Sequence, residues 1–206
     1  MSCHPSRGAE TVSFAIVLGG GRSSRMGRDK MRVEIDGEPL LARTVDAALS
    51  WASHVVVVAP EDSWRGEEDD RVSFTLEDPP LGGPAAGIRA GLQQVLTLIG
   101  DAESKVDDCE VLILAGDLAN PHRAVGALSP AVNHVDGVVL EDHEGWPQFL
   151  AGRYRLASLQ GAFEAAGSAR DKSVRSVLRG LDVALVQVPL QVTADMDTPE
   201  DLALYS

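Results

Sequence analysis

Seven short apolar runs, separated by stretches with helical spacing, restrict this chain to a small set of folds. Val12–Leu18, Val55–Ala59, Val72–Leu76, Val111–Ala115, Gly137–Leu140, Gln148–Ala151 and Val183–Val188 have the length and content of strands. Several are nearly continuous in Val, Ile and Leu, as expected of strands covered on both faces. Between them, Pro39–Trp51 sets Leu40, Leu41, Thr44, Val45, Ala48 and Leu49 along one helical face. Further helices are predicted over Pro84–Ile99, Pro121–Val132, Arg155–Ala166 and Ser173–Leu181, and a last one over Thr198–Leu204. There Thr198 supplies an N-cap, Pro199 the first helical position and Asp201 an acidic third position.

This alternation predicts an α/β fold, three layers deep, around a mostly parallel (mixed) central sheet. Ligands in such folds bind beyond the carboxyl ends of the strands, where the strand order switches sense. No repeat or linker divides the chain. Residues 11–206 are expected to form a single domain, and residues 1–10 a disordered polar tail.

Charge and cysteine content narrow the function. A formal charge of −13 opposes binding to a nucleic-acid backbone or an anionic membrane, while leaving room for a small anionic substrate on a local basic patch. The two cysteines, Cys3 and Cys109, have no metal-ligand spacing and suit a reducing compartment. There is no run of 18 apolar residues and no apolar leader segment, so a cytoplasmic location is expected. The acidic stretches Glu61–Asp70 and Asp101–Glu110 read as solvated loops. His4 and His143 fall in loops, and no histidine is expected to pair with a Ser or Cys as a triad requires.

The most informative segment follows the first strand: Leu18-Gly19-Gly20-Gly21-Arg22-Ser23-Ser24-Arg25-Met26-Gly27-Arg28-Asp29-Lys30. Consecutive glycines at a strand end let backbone N–H groups approach an anion closely. Residues 22–32 carry five basic side chains against one acidic, which suits a triphosphate. Two familiar phosphate motifs fail. A dinucleotide fingerprint would need glycine where Ser24 stands, and a P-loop would need lysine where Arg28 stands and glycine where Arg22 stands.

The stretch resembles the L-x-G-G-x-S-x-R-M-G-x-D-K signature of the MobA-like NTP transferases, whose best-known members are molybdenum cofactor guanylyltransferases. The resemblance implies a Rossmann-like nucleotidyltransferase fold. It also implies that the backbone of Leu18, Gly19, Gly20 and Gly21 wraps the nucleotide, that Lys30 contacts phosphate oxygens, and that Arg25 holds the departing pyrophosphate. Glu77-Asp78-Pro79-Pro80-Leu81-Gly82-Gly83-Pro84 is similar to the family's D-x-x-x-x-G-P-L-A-G segment, so Asp78 is expected to contact the nucleotide. The alternative for Asp78 is turn initiation before Pro79. Asp117, just past the Val111–Ala115 run, takes the family's place for catalytic magnesium, Mg2+, against an alternative role in capping a helix. The family's proline two residues after that aspartate is here displaced to Pro121.

The acceptor side is read from three segments. Asp142-His143-Glu144-Gly145-Trp146-Pro147-Gln148 is similar to the family's region before a strand, which points to Pro147 and Gln148. Lys172-Ser173-Val174-Arg175-Ser176-Val177-Leu178 is similar to its R-S-V/L-R-x-L-L helix, which points to Arg175, although surface solvation also explains both cations. Asp195 and Asp197, before Thr198-Pro199, either line the acceptor pocket and assist the metal or complement a helix dipole.

The activity the resemblance implies is transfer of GMP from GTP to molybdopterin or Mo-molybdopterin, with release of pyrophosphate and transient contact with molybdenum cofactor enzymes. The same signature serves cytidylyltransferases and sugar-phosphate nucleotidyltransferases, and a non-catalytic nucleotide-binding module is the alternative outside enzymes. The loop favours guanine, because the cytidylyl branch reads L-A-A-G where this chain has Gly20. Gly19, where the family has alanine, is expected to enlarge the space for the base and relax selectivity.

Overall fold

The apolar runs assemble into one twisted layer. The computed structural model describes residues 13–20, 34–35, 37–64, 66–100, 106, 109–129, 135–194 and 196. In chain order its strands are β1 (Ser13–Leu18), β2 (Glu34–Ile35), β3 (Glu38–Pro39), β4 (His54–Val58), β5 (Val72–Thr75), β6 (Glu110–Ala115), β7 (Gly137–Glu141), β8 (Pro147–Arg155) and β9 (Val183–Gln187). Its helices are α1 (Leu40–Leu49), α2 (Pro84–Ile99), α3 (Pro121–Leu128), α4 (Leu156–Ala166), α5 (Val174–Leu178) and α6 (Leu190–Thr193). Seven strands lie in the order β5-β4-β1-β6-β8-β7-β9, and β2 pairs with β3 in a small separate hairpin. Within the large sheet β8 runs antiparallel to both neighbours and the other pairings are parallel. The sheet is therefore mostly parallel and mixed, as the sequence predicts.

Strand side chains alternate between two apolar layers, which is why the runs are continuous in sequence. Ala15, Val17, Val55, Val57, Leu112 and Leu114 pack against Leu41, Val45 and Ala48 of α1 and Ala124, Val125 and Leu128 of α3. Phe14, Ile16, Leu18, Val56, Val58 and Ile113 face Ile88, Leu92 and Val95 of α2, with Leu159 of α4 and Leu178 of α5. Ala15, Ile16, Val17, Val55, Val56, Val57 and Ile113 are wholly buried. At roughly 1.5–3 kcal/mol for each fully buried Val, Ile or Leu, this sandwich supplies the main driving force. A Cβ at Gly91 would lie 2.7 Å from Ile16, so the glycine lets α2 settle directly on β1.

Five elements differ from expectation. β8 continues through Gly152-Arg153-Tyr154-Arg155, beyond the four-residue strand that the sequence predicts, because the buried Arg153 finds partners. Its Nη1 donates to the Ser129 carbonyl at 3.1 Å, and its Nε lies 3.5 Å from Glu110. α5 stops at Leu178, three residues short, and starts where the Ser173 hydroxyl accepts from the Ser176 N–H. The β2–β3 hairpin and α6 carry no periodic signal in the sequence. The helix expected over Thr198–Leu204, residues 130–132 of the expected third helix, and the tail 1–10 lie outside the described residues. Among the described residues, no helix is long and apolar enough to cross a membrane.

Candidate active site

The chain leaves β1 to build β4 and β5 on one side, then crosses back to place β6 on the other. The carboxyl ends of β1 and β6 thus flank the crevice where open α/β sheets bind ligands. Leu18, Gly19 and Gly20 lie at the end of β1, with Gly19 buried and Gly20 exposed. The Gly19 N–H donates to the Val58 carbonyl at 3.1 Å, which carries the chain past the end of β4. Gly21, Arg25 and Lys30 lie outside the described residues.

The missing side chain at position 19 serves core packing. A Cβ there would come within 2.9 Å of the Leu41 side chain and 3.1 Å of Ala59, both part of the layer under α1. The expectation that Gly19 enlarges the base site is therefore corrected: the missing methyl is filled by Leu41. Among the described residues a Cβ at Gly20 would meet only the Val58 carbonyl oxygen, at 3.4 Å, so these residues leave room for alanine at that position.

Asp117 stands two residues beyond β6, half-buried, with its backbone held from several directions. The preceding Gly116 N–H donates to the Leu18 carbonyl at 3.0 Å, which ties this loop to β1. The Asp117 carbonyl accepts from the Met196 N–H at 3.1 Å, and the Ala119 N–H donates to the Ala194 carbonyl at 2.9 Å. The wholly buried Thr44 hydroxyl of α1 lies 3.1 Å from the Leu40 carbonyl and 3.4 Å from that of Gly116. Asp195 and Asp197 lie outside the described residues, whereas Ala194 and Met196 make the contacts just given. Among the described residues no group of three or more His, Cys, Asp or Glu could hold a metal. One strand-end carboxylate still suits magnesium, which keeps several waters and takes other ligands from substrate phosphates.

Next to Asp117 lies a pocket of about 200 Å3, lined by Ala115 and Leu118 on either side of it and by Gln148, Phe149, Val174 and Arg175. The structure therefore brings two of the expected acceptor-side residues, Gln148 and Arg175, to the flank of Asp117. Pro147 is half-buried beside them, opposite Glu141 of β7. The pocket wall is a bulge in β8. Val139 pairs with Gly152 but the next β7 residue, Leu140, pairs with Gln148, so residues 149–151 are extra on that side. The wholly buried Tyr154 phenol donates to the Phe149 carbonyl at 2.9 Å and closes the bulge. Burial pushes the Tyr154 hydroxyl well above its ordinary value, so it stays protonated as a donor.

Asp142, Trp146 and Tyr154 were not singled out individually by sequence reasoning, although a turn signal at Asp142 and Gly145 was available. Asp142 Oδ1 accepts from the Glu144 and Trp146 N–H groups, both at 2.9 Å, and Asp142 Oδ2 accepts from Gln148 Nε2 at 2.6 Å. The Trp146 amide above all, with those of Glu144 and Gln148, holds the Asp142 carboxyl below its ordinary value. Trp146 is 52% exposed, and the Arg175 guanidinium lies over its ring at 5.3 Å.

Asp78 goes elsewhere. It is exposed on the loop after β5 and lines a polar cleft of about 630 Å3 with Glu77, Arg89, Gln93 and Arg170, not the pocket beside Asp117. That loop is clasped by Arg170 Nη1, donating to the Pro79 carbonyl at 2.9 Å, and by the Asp171 N–H, donating to that of Gly82 at 2.8 Å. One histidine also departs from expectation: His54 Nε2 lies 3.1 Å from Ser73 Oγ. The pair sits toward the amino ends of β4 and β5, at the end of the sheet away from the crevice, so it has no access to the ligand.

A strand-end carboxylate at the switch point, beside a compact pocket carrying a cation and an amide, is an arrangement that suits an α/β nucleotidyltransferase. Residues 15–188 match the MobA-like NTP transferase domain, and the chain belongs to that family. A probable molybdenum cofactor guanylyltransferase from Nostoc is 31% identical over 202 residues, covering 92% of this chain and 88% of that protein. Among solved structures, a 2-C-methyl-D-erythritol 4-phosphate cytidylyltransferase from Francisella tularensis superposes with a TM-score of 0.70 at 14% identity, covering 94% of this chain and 97% of that one. Rv0371c of Mycobacterium tuberculosis, solved in complex with manganese, superposes with a TM-score of 0.62 at 18% identity, covering 96% and 98%. These two likenesses concern the fold.

Proposed function

We propose that this protein transfers GMP from GTP to molybdopterin or Mo-molybdopterin, releasing pyrophosphate. The observation that carries the reading is the clamped strand-end position of Asp117 beside the Gln148–Arg175 pocket, in a chain of this family. An acceptor phosphate oxygen attacks the α-phosphorus of GTP. As that bond forms, the bond from the α-phosphorus to the bridging oxygen breaks, and pyrophosphate leaves with the electron pair. A phosphate monoester is largely dianionic at neutral pH, its second pKa being about 6, so no protein base is needed.

The chain's task is positioning and charge neutralisation. Lys30 and Arg25 are assigned to the phosphates, the backbone of Leu18, Gly19, Gly20 and Gly21 and the Asp78 carboxylate to the nucleotide, and Pro147, Gln148, Arg175, Asp195 and Asp197 to the acceptor. Magnesium held through Asp117 would supply neutralisation of phosphate charge in the transition state. Residues 11–206 act as one nucleotidyltransferase domain in this reading, located in the cytoplasm. The test is pyrophosphate release with GTP, CTP or ATP, each paired with molybdopterin or with 2-C-methyl-D-erythritol 4-phosphate. Release with GTP and molybdopterin is expected. Release with the sugar-alcohol phosphate alone would overturn the assignment.

A further inference from the structure

The pocket beside Asp117 contains one amide whose direction is fixed. An ionised carboxylate only accepts hydrogen bonds, so the atom of Gln148 that faces Asp142 Oδ2 at 2.6 Å must be the nitrogen. The same nitrogen lies 3.4 Å from the Trp146 carbonyl, a second acceptor. With Nε2 committed to two acceptors, Oε1 is what Gln148 can offer a ligand in the pocket it lines. Apart from Thr193, the remaining wall is apolar, chiefly Leu118, Phe149 and Val174, with the Arg175 guanidinium stacked on Trp146. A volume of about 200 Å3 suits one part of a ligand and is small for a whole nucleotide.

We propose that Asp142 is a positioning residue that sets the polarity of this pocket: by holding Gln148 Nε2 it presents Oε1, and so selects acceptors that bring an N–H donor edge on a flat ring together with an anionic group for Arg175. Trp146 acts in the same unit, through Arg175, by holding the guanidinium over its ring. The inference rests on the assignment of this pocket to the acceptor. It goes further in naming Asp142 and Trp146, neither of which need touch the acceptor, and in fixing which hydrogen-bonding partner Gln148 accepts.

Asp142→Asn is the discriminating variant. Asparagine keeps an Oδ1 acceptor for the Glu144 and Trp146 amides and is itself a favoured turn residue, so the turn survives. It places an NH2 group opposite Gln148 Nε2, and the Gln148 amide turns over to avoid two facing donors. The pocket then presents a donor where an acceptor is needed. The expected result is a rise in KM for molybdopterin of roughly 5- to 20-fold, from one mispaired half-buried group, with KM for GTP within about twofold and the loss in KM rather than kcat. In a Gln148→Ala background the same substitution should add nothing, because Asp142 acts through Gln148.

Equal losses with and without Gln148, or matching shifts in the KM of both substrates, overturn the proposal and leave Asp142 a turn former only. Release supported by 2-C-methyl-D-erythritol 4-phosphate and not by molybdopterin overturns the proposed function and the N–H donor class together. Release with molybdopterin and uncoupled losses overturns the role of Asp142 alone. Should neither acceptor support release, calorimetric titration of the four proteins with molybdopterin reads the same coupling, and absent or uncoupled binding overturns the proposal.

Discussion

Replacing Tyr154 by phenylalanine tests whether the bulge that walls the acceptor pocket is held by one hydrogen bond. The phenol is wholly buried and donates to the Phe149 carbonyl at 2.9 Å. Removing it loses a hydrogen bond worth about 1 kcal/mol net, and leaving the carbonyl unsatisfied costs about 1–3 kcal/mol where it is fully buried. Phe149 is half-buried, so water reaches part of the segment, and a total near 1–2 kcal/mol is expected. For a chain of this size each kcal/mol moves Tm by roughly 2–4 °C, which places the loss at about 2–8 °C. The phenyl ring still packs against Gly152 and Gly137, whose Cβ atoms would otherwise collide with it, so the sheet stays intact. Because residues 149–151 line the pocket, the KM for the acceptor should rise while that for GTP does not. Thermal unfolding and initial rates read both effects. A variant with unchanged Tm and unchanged acceptor KM would refute this role for the Tyr154 hydroxyl.

Four further outcomes are expected. Lys30→Ala should keep the fold and nearly abolish turnover, losing on the order of 3 kcal/mol of transition-state stabilisation; unchanged pyrophosphate release with saturating acceptor sinks the assignment. Asp117→Asn should require much more magnesium and lose rate at every concentration, whereas Asp195→Asn should act mainly on acceptor KM; the reverse order of magnesium dependence means the ligand is misassigned. Gly20→Ala should leave Tm unchanged, since among the described residues its Cβ meets only the Val58 carbonyl at 3.4 Å, and should weaken GTP relative to CTP; an unaltered GTP:CTP ratio of kcat/KM refutes the steric account. Burial depresses the His54 imidazole below its ordinary 6.5, so the unfolded chain takes up a proton first: the stability contribution is full above that pH and is lost as pH falls toward the folded value. Urea midpoints at about pH 7.5 and 5.5 should therefore differ less in His54→Gln than in the parent, and equal differences count against it.

The parts of this protein legible in its sequence are those whose cause is local. Continuous Val and Ile runs betray doubly covered strands because both faces of β1, β4 and β6 meet helices. A carboxylate just past such a run, Asp117, marks a strand end whether or not its partners are known. Gly19 shows the limit: its role looked ligand-directed until Leu41 and Ala59, 22 and 40 residues away in the chain, were seen to fill the space its Cβ would take. The length of β8 was hidden for the same reason. Arg153 interrupts an apolar pattern, and only the Ser129 carbonyl and Glu110 explain how a strand can bury it.

The same distinction separates the two halves of the site. In the proposed function most of the nucleotide side is assigned to one contiguous stretch, Leu18 to Lys30, so it can be read in a row of neighbouring residues. The acceptor side has no such row. Gln148 reaches its pocket from β8, Arg175 from α5 and Leu118 from the loop after β6, and each arrives with a supporting group from its own segment. Asp142 fixes the Gln148 amide, Trp146 holds the Arg175 guanidinium, and Tyr154 closes the bulge that shapes the wall. A substrate change on this side therefore requires no change in the glycine-rich loop. Substituting a supporting residue such as Asp142 inverts, on the proposed reading, what the pocket accepts, while Gly116 stays tied to Leu18 and Asp117 to Met196. Acceptor choice and nucleotide handling are in that sense mechanically separate, and one fold can carry the same phosphate chemistry to chemically different acceptors.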